Sequence, residues 1–280
     1  MKFSAKEVAE ELIARGFDAE ETDVVKNGVT FHGVVLKNGA EVMPVFYVEN
    51  YEGTCGSVSE VADRICDFCK NAMKYPDSVK KVMEREWVLD HLYIGLQKSS
   101  AEELVKRPSF LEGIEEYLLA IDDSKQGGAW SAKMKRNALD SLMISEEDAW
   151  KKAIANTKKG TVMKGLAETL GMPADGLIPI QIMTNGSMYK GAGAISNKEA
   201  LETLSKEWNV ERLIVIPSSI HEVLLSPFTD EEGFAAISGF VSAVNRQEVA
   251  PEEQLADRAF ILDVRTLKEV PVESIHGQAS

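Results

Sequence analysis

Long apolar runs are missing from this sequence. Nothing in its 280 residues approaches the roughly 18 consecutive apolar side chains that a membrane-spanning helix requires, so no membrane partner is expected. An excess of basic charge is missing too: 31 Lys and Arg stand against 45 Asp and Glu, a formal charge of −14. That balance repels phosphate backbones and anionic lipid, and no local basic patch reverses it, so nucleic acid is not an expected partner. The carboxylates are scattered rather than arrayed on one face, which excludes a DNA mimic. Cysteine is scarce: Cys55, Cys66 and Cys69 are an odd, sparse set, unlike the even framework of a disulfide-stapled secreted domain, and they point to a reducing cytoplasm. The N-terminal MKFSAKEVAEELIARGF turns acidic and amphipathic where a signal peptide would carry an apolar core and a small-residue cleavage site; no export is expected. Asn185-Gly186-Ser187, formally a glycosylation sequon, therefore reads as a turn.

What is present is an ordinary globular composition, 44% apolar and 27% charged, on a chain long enough for one large domain or two. Ser4 followed by Glu7 is a capping box, and Val8, Leu12 and Ile13 recur at helical spacing until Gly16, predicting a helix over 5–15. Three β-rich runs follow at 21–26, 29–36 and 41–49, divided by Asn27-Gly28 and Asn38-Gly39, dipeptides that tolerate the positive φ of hairpin turns. Ser57 then caps a helix with Val58, Val61, Ile65, Phe68 and Cys69 along one stripe, running to Tyr75-Pro76. In the middle, 86–97 fits strand or helix, 116–121 and 130–135 read as strands around Gly127-Gly128, Ser145 starts a helix reaching Thr157, and 162–170 reads as a second, short helix. The last third predicts a hairpin of strands 177–184 and 188–196, a helix over 198–208 capped by Asn197, strands 213–216 and 220–225, a helix over 232–245 and a strand at 258–264. The fold class is α+β, mainly antiparallel sheets with packed helices. It divides into an αβββα unit (1–85), a mixed middle segment (86–172), a ββαββαβ unit (173–266) and a flexible tail (267–280).

Candidate chemistry centres on IVIPSSIHEVLL, where Ser218, Ser219, His221 and Glu222 carry the parts of a hydrolase. A nucleophile, its base and the orienting acid must converge in space, and in an extended segment Ser219 and His221 share one face while Glu222 points to the other. One strand cannot make a triad, and the G-x-S-x-G elbow is absent. The segment reads as a polar turn at a proline, its hydroxyls satisfying backbone groups. Cys66-Asp67-Phe68-Cys69 is half of a zinc site without its second pair, unless His32 or His91 supplied a ligand; i, i+3 spacing on a helix makes both core cysteines, so no metal is expected. Gly191-Ala192-Gly193 lacks the third glycine of a dinucleotide fingerprint and a following G-K-[ST]; it reads as close backbone packing, and no cofactor is expected. The acidic pairs Glu115-Glu116, Asp122-Asp123 and Glu252-Glu253 read mostly as solvated faces or helix starts.

Several strings taken together carry a resemblance. ISEEDAWKKAIANT (144–157), IQIMTN (180–185), KGAGAIS (190–196), IPSSIHEVLLSP (216–227) and VNRQEVAPEEQLADRAFILD (244–263), with NGVTFHGVVLKNGAEVMPVFYVENY near the N-terminus, resemble a bacterial family, domain of unknown function 5688, found in clostridia. The resemblance implies no reaction, ligand or catalytic residue to transfer. The expectation is a cytoplasmic, non-catalytic binding or regulatory protein of a bacterial or mobile-element system, with a protein or small molecule as partner. The alternative is a hydrolase-like enzyme that completes His221 and Glu222 with groups from another segment.

Overall fold

In the computed structural model, which describes residues 3–37, 45–72, 77–123, 129–173, 178–217 and 219–271, Ser4 opens the chain with a reciprocal cap. Its hydroxyl accepts from the Glu7 N–H at 3.1 Å while the Glu7 carboxylate accepts from the Ser4 N–H at 3.0 Å, which satisfies donors that the first turn leaves unpaired. Helix α1 (Ala5–Ala14) buries Val8 and Leu12. Strands β1 (Ala19–Lys26) and β2 (Val29–Leu36) pair antiparallel across Asn27-Gly28, both at positive φ (49° and 80°), as the sequence leads one to expect. Strand β3 (Val45–Tyr47) pairs with β2, and the chain continues through a 3-10 turn to helix α2 (Val58–Ala72). Val34, Val61, Ala62, Ile65 and Cys66 close the core against α1. Phe68 departs from the expected stripe: it is 49% exposed, its ring set edge-on to Phe46. The Asn38-Gly39 turn and the Tyr75-Pro76 break lie outside the described residues. This αβββα assembly is the first of two units, 1–77; the second is 78–280.

In the second unit, residues 86–97 are both of the things their pattern allowed: helix α3 (Arg85–His91) passes directly into strand β4 (Leu92–Lys98). Strand β6 (Ile114–Asp122) is buried along its whole length. It pairs with β4 on one edge and, on the other, with β5 (Lys106–Pro108) and then β7 (Trp130–Lys133). The Gly127-Gly128 turn lies outside the described residues. Helices α4 (Arg136–Ser141) and α5 (Glu146–Gly160) lay Leu139, Ala149 and Ala153 against Leu118 and Ala120 of one sheet face.

Helix α5 runs past Thr157 to Gly160, and the chain passes from it into strand β8 (Thr161–Gly165), with only a short turn of helix, α6 (Leu166–Thr169), behind that strand. The expected helix over 162–170 is therefore corrected. A short apolar pattern does not separate helix from strand, and pairing with β9 (Gln181–Asn185) decides it. Residues 188–196 are a second correction: they do not return as a strand but form a 3-10 segment over Gly191–Ser196. Met188 and Lys190 sit at φ 55° and 50°, conformations that break an extended chain, and the ladder position beside β9 is taken by β11 (Val223–Pro227). Helix α7 (Lys198–Trp208) begins at the Asn197 cap, β10 (Arg212–Ile216) pairs with β11, helix α8 (Glu231–Glu248) starts at Asp230, and β12 (Phe260–Asp263) pairs with β10. Beyond Thr266, Lys268–Glu269 form β13 on β12 rather than a free tail, while 272–280 lie outside the described residues.

The result is an antiparallel six-stranded sheet of order β13-β12-β10-β11-β9-β8. Alternation divides its side chains between two cores. Leu213, Val215, Val223, Leu225 and Phe260 face α7, together with Leu96 and Ile114 of the other sheet, so residues 86–172 and 173–266 share one core. Ile214, Ile216 and Ile261 face Phe234 and Val241 of α8. The fold is α+β. Among the described residues no helix is long and apolar enough to cross a membrane.

Candidate functional site

Pro217 has no N–H to continue the ladder, and β10 ends before it. The chain turns and re-enters the sheet at Val223, with the Ser219 N–H donating to the Glu222 carbonyl at 3.3 Å. Ser218 lies outside the described residues. The buried Ser219 hydroxyl accepts from the His221 N–H at 3.0 Å and meets Glu222 Oε1 at 3.1 Å. Ser219 and Glu222 are thus together, whereas an extended segment would have placed them on opposite faces; the turn is tighter than the expected strand from 220, and neither Ile220 nor His221 belongs to β11.

The His221 ring is held at both nitrogens. Nδ1 accepts from the Lys190 N–H at 3.1 Å, which leaves the proton on Nε2, and Nε2 lies 3.3 Å from Glu253 Oε1. The His221 carbonyl accepts from the Gly191 N–H (2.9 Å) and from the Thr184 hydroxyl (2.8 Å), and the Ile220 N–H donates to the Glu253 carbonyl (2.8 Å). Tyr189 leans on the imidazole at 5.6 Å between ring centroids. The strings IQIMTN, KGAGAIS, IPSSIHE and the acidic loop before β12 therefore meet at one corner. Asn185 fastens the Tyr189 backbone from both ends of its amide, at 2.8 and 3.2 Å, and Asn245 and Gln254 fasten the acidic loop to the end of α8.

The two glycines of KGAGAIS are there for approach. A Cβ on Gly191 would lie 2.3 Å from the Thr184 hydroxyl, and one on Gly193 would lie 1.9 Å from the Ile94 carbonyl oxygen of β4. The 3-10 segment is thus a wedge between the two sheets, as the close-packing reading of these glycines requires.

This geometry does not build a relay. A serine nucleophile needs a ring nitrogen as base, and neither nitrogen of His221 faces Ser219. Glu222, expected on the far face, is instead the partner of the serine. Both carboxylates serve the turn and the ring as anchors.

A second polar cluster was not legible as such. Glu115 and Glu116 are buried, not solvated, at 7% and 4% exposure, and β6 sends them to opposite faces. Glu116 accepts from Arg107 at 2.7 Å and from the Ser196 hydroxyl at 2.6 Å, and the Arg107 guanidinium stacks 4.2 Å from the Trp150 ring centre. Glu115 accepts from Gln97 (2.8 Å), Ser100 (3.0 Å) and Lys106 (3.1 Å). Lys133 donates to Gln97 Oε1 at 2.8 Å and to Glu102 at 2.7 Å. Beside them burial pushes the Tyr117 phenol well above its ordinary range, helped by the nearby Glu102 charge. The signal available in the sequence was a pair of glutamates wedged between Ile114 and Tyr-Leu-Leu, with cations at 106–107 and 133 to meet them.

The cysteines lie in the first unit, Cys55 and Cys66 buried and Cys69 partly so; burial, with Cys66 nearby, pushes the Cys69 thiol up. His32 is engaged with Asp23 at 2.7 Å. Among the described residues no group of three or more His, Cys, Asp or Glu is arranged to hold a metal ion.

The strings that converge on the corner and on α5 are among those that carried the resemblance, and a family model, Family of unknown function (DUF5688), matches residues 2–263. The chain belongs to this family. No curated protein and no solved structure matches it. For a DUF5688 chain the geometry then explains why IPSSIHE, KGAGAIS and IQIMTN occur together: each supplies one side of a single hydrogen-bonded joint.

Proposed function

We propose that this DUF5688 chain is a cytoplasmic, non-catalytic binding or regulatory protein of a bacterial or mobile-element system, whose partner is a protein or small molecule rather than nucleic acid or membrane. The observation that carries this reading is the commitment of both His221 ring nitrogens, one to the Lys190 N–H and one to Glu253, with the Ser219 hydroxyl turned to Glu222. A residue whose acceptor is spent on backbone supports a turn; it has no lone pair to offer a substrate. The formal charge of −14 supports a partner that is not a polyanion. The hydrolase alternative built on His221 and Glu222 draws no support from this geometry. A panel of activated esters, amides and phosphoesters tests the reading. The expected outcome is that His221→Gln lowers the melting temperature and changes no turnover; turnover lost in a folded His221→Gln or Ser219→Ala variant would overturn it.

A further inference from the structure

The six-stranded sheet ends at β8 with an edge that no strand among the described residues covers. Its register shows which groups that edge offers. Leu166 N–H donates to the Ile180 carbonyl at 2.9 Å, in line with Gly165↔Gln181, so 166 and 180 are a hydrogen-bonded pair. In an antiparallel ladder such pairs alternate. Val162 and Lys164 therefore spend their backbone groups on β9, while both backbone groups of Met163 and the N–H of Gly165 turn outward, the Gly165 carbonyl already accepting from the Thr169 hydroxyl at 2.8 Å. Met163 sends its side chain to the α7 face of the sheet.

There a groove of about 530 Å³ runs between the strand and the helix, with Met163 and Gln181 as floor and Ala200, Thr203, Leu204 and Glu207 along the helix wall. It joins a second hollow of about 250 Å³ through Lys158, Asn197 and Glu199. At that end charge is already balanced, since Lys158 holds Glu199 at 2.5 Å. At the other end Gln181 lies opposite Gly165, whose position is bordered by Glu168, and the exposed Glu207 has no ion-pair partner among the described residues. The groove is apolar in the middle and acidic where β8 finishes.

We infer that the free edge of β8 and the α7 groove take an extended peptide that pairs as a seventh strand, placing apolar side chains over Met163, Ala200 and Leu204 and a Lys or Arg beside Glu207. Main-chain hydrogen bonds to Met163 and to the Gly165 N–H supply affinity, and alternate side chains reaching the groove supply selection. A basic partner also suits a chain of charge −14, which repels a second copy of itself. The inference rests on the binding-protein reading and names its partner class.

Selection of a displayed library of random ten-residue peptides on the full chain tests it, with synthetic versions of the enriched peptides measured by fluorescence anisotropy. Enriched sequences are expected to alternate apolar residues with Lys or Arg. They should bind at least tenfold more weakly to Met163→Pro, which deletes an outward donor without touching the β8–β9 ladder. Glu207→Lys, an exposed substitution that leaves the core alone, should lose binding to a similar degree. Peptides without that alternation, equal binding to both folded variants, or no enrichment would each overturn the docking site. With no turnover in the ester, amide and phosphoester panel, such a result sinks this site alone; turnover that His221→Gln removes sinks the binding reading itself.

Discussion

At the scale of single residues the joint between the sheets sets the hierarchy of costs. Ser219→Ala removes a buried hydroxyl that accepts from the His221 N–H and bonds Glu222, and the expected loss in urea unfolding is about 1 kcal/mol. In β11 the ranking follows the pleat. Leu225 is fully buried against α7, so Leu225→Ala should cost about 2–5 kcal/mol, whereas the partly buried Leu224 on the α8 side should cost less. Ser226 offers the opposite sign: its hydroxyl is fully buried with no partner among the described residues, so Ser226→Ala should leave stability unchanged or raise it. A clear loss on that substitution would mean that the hydroxyl is bonded in solution.

At the scale of elements, helix α8 provides two independent handles. Gly239 lies on its exposed side with open space around it, so Gly239→Ala should stabilise by roughly 0.5–1 kcal/mol through helix propensity. Gly193→Ala, by contrast, drives a methyl into the Ile94 carbonyl and should prevent correct docking of the 3-10 wedge. Asp230 caps α8. The Gly233 N–H at 2.7 Å, then the Thr229 hydroxyl at 3.1 Å, hold its carboxyl below the ordinary range. A folded-state value below the unfolded one, about 3.9, means that the stabilisation is fully present above that pH and is lost as pH falls through the folded value. The stability gap between wild type and Asp230→Asn should therefore be open at pH 7 and narrow on acidification below about pH 4; a gap independent of pH would show that the charge contributes nothing.

At the scale of the whole molecule, the six-stranded sheet should show a gradient of protection. Leu213, Val215 and Leu262, in strands paired on both sides and buried at 0%, should exchange their amide hydrogens through the slowest openings. The outward amides of Met163 and Gly165 on the β8 edge should exchange fast in the free protein and slow down when a strand-forming peptide is bound. Slow exchange there without any peptide would place another part of the chain over the edge. The first unit, 1–77, has its own core around Leu12, Val34 and Ile65, so its amides should report a separate local stability.

Local chemistry written in the chain accounts for the helix starts and the first hairpin. Capping residues Ser4, Asn197 and Asp230 mark helix starts because an orphan N–H needs an acceptor within a few residues. Asn27-Gly28 marks a hairpin because few residues adopt positive φ at both positions. The strings of the DUF5688 family were legible as strings. Elements whose local pattern was neutral took their form from packing. Residues 161–165 became a strand because β9 lay ready to pair with them, and 191–196 became a wedge because Gly193 had to fit against Ile94. Glu115 and Glu116 became interior groups because Lys106 and Arg107, on the neighbouring strand, brought their charges within reach. The candidate site divided in the same way. The sequence placed Ser219, His221 and Glu222 within four positions, but the partners that decide what they do, Lys190 and Glu253, lie some thirty residues away on either side, and hydrogen-bond direction exists only once those segments meet.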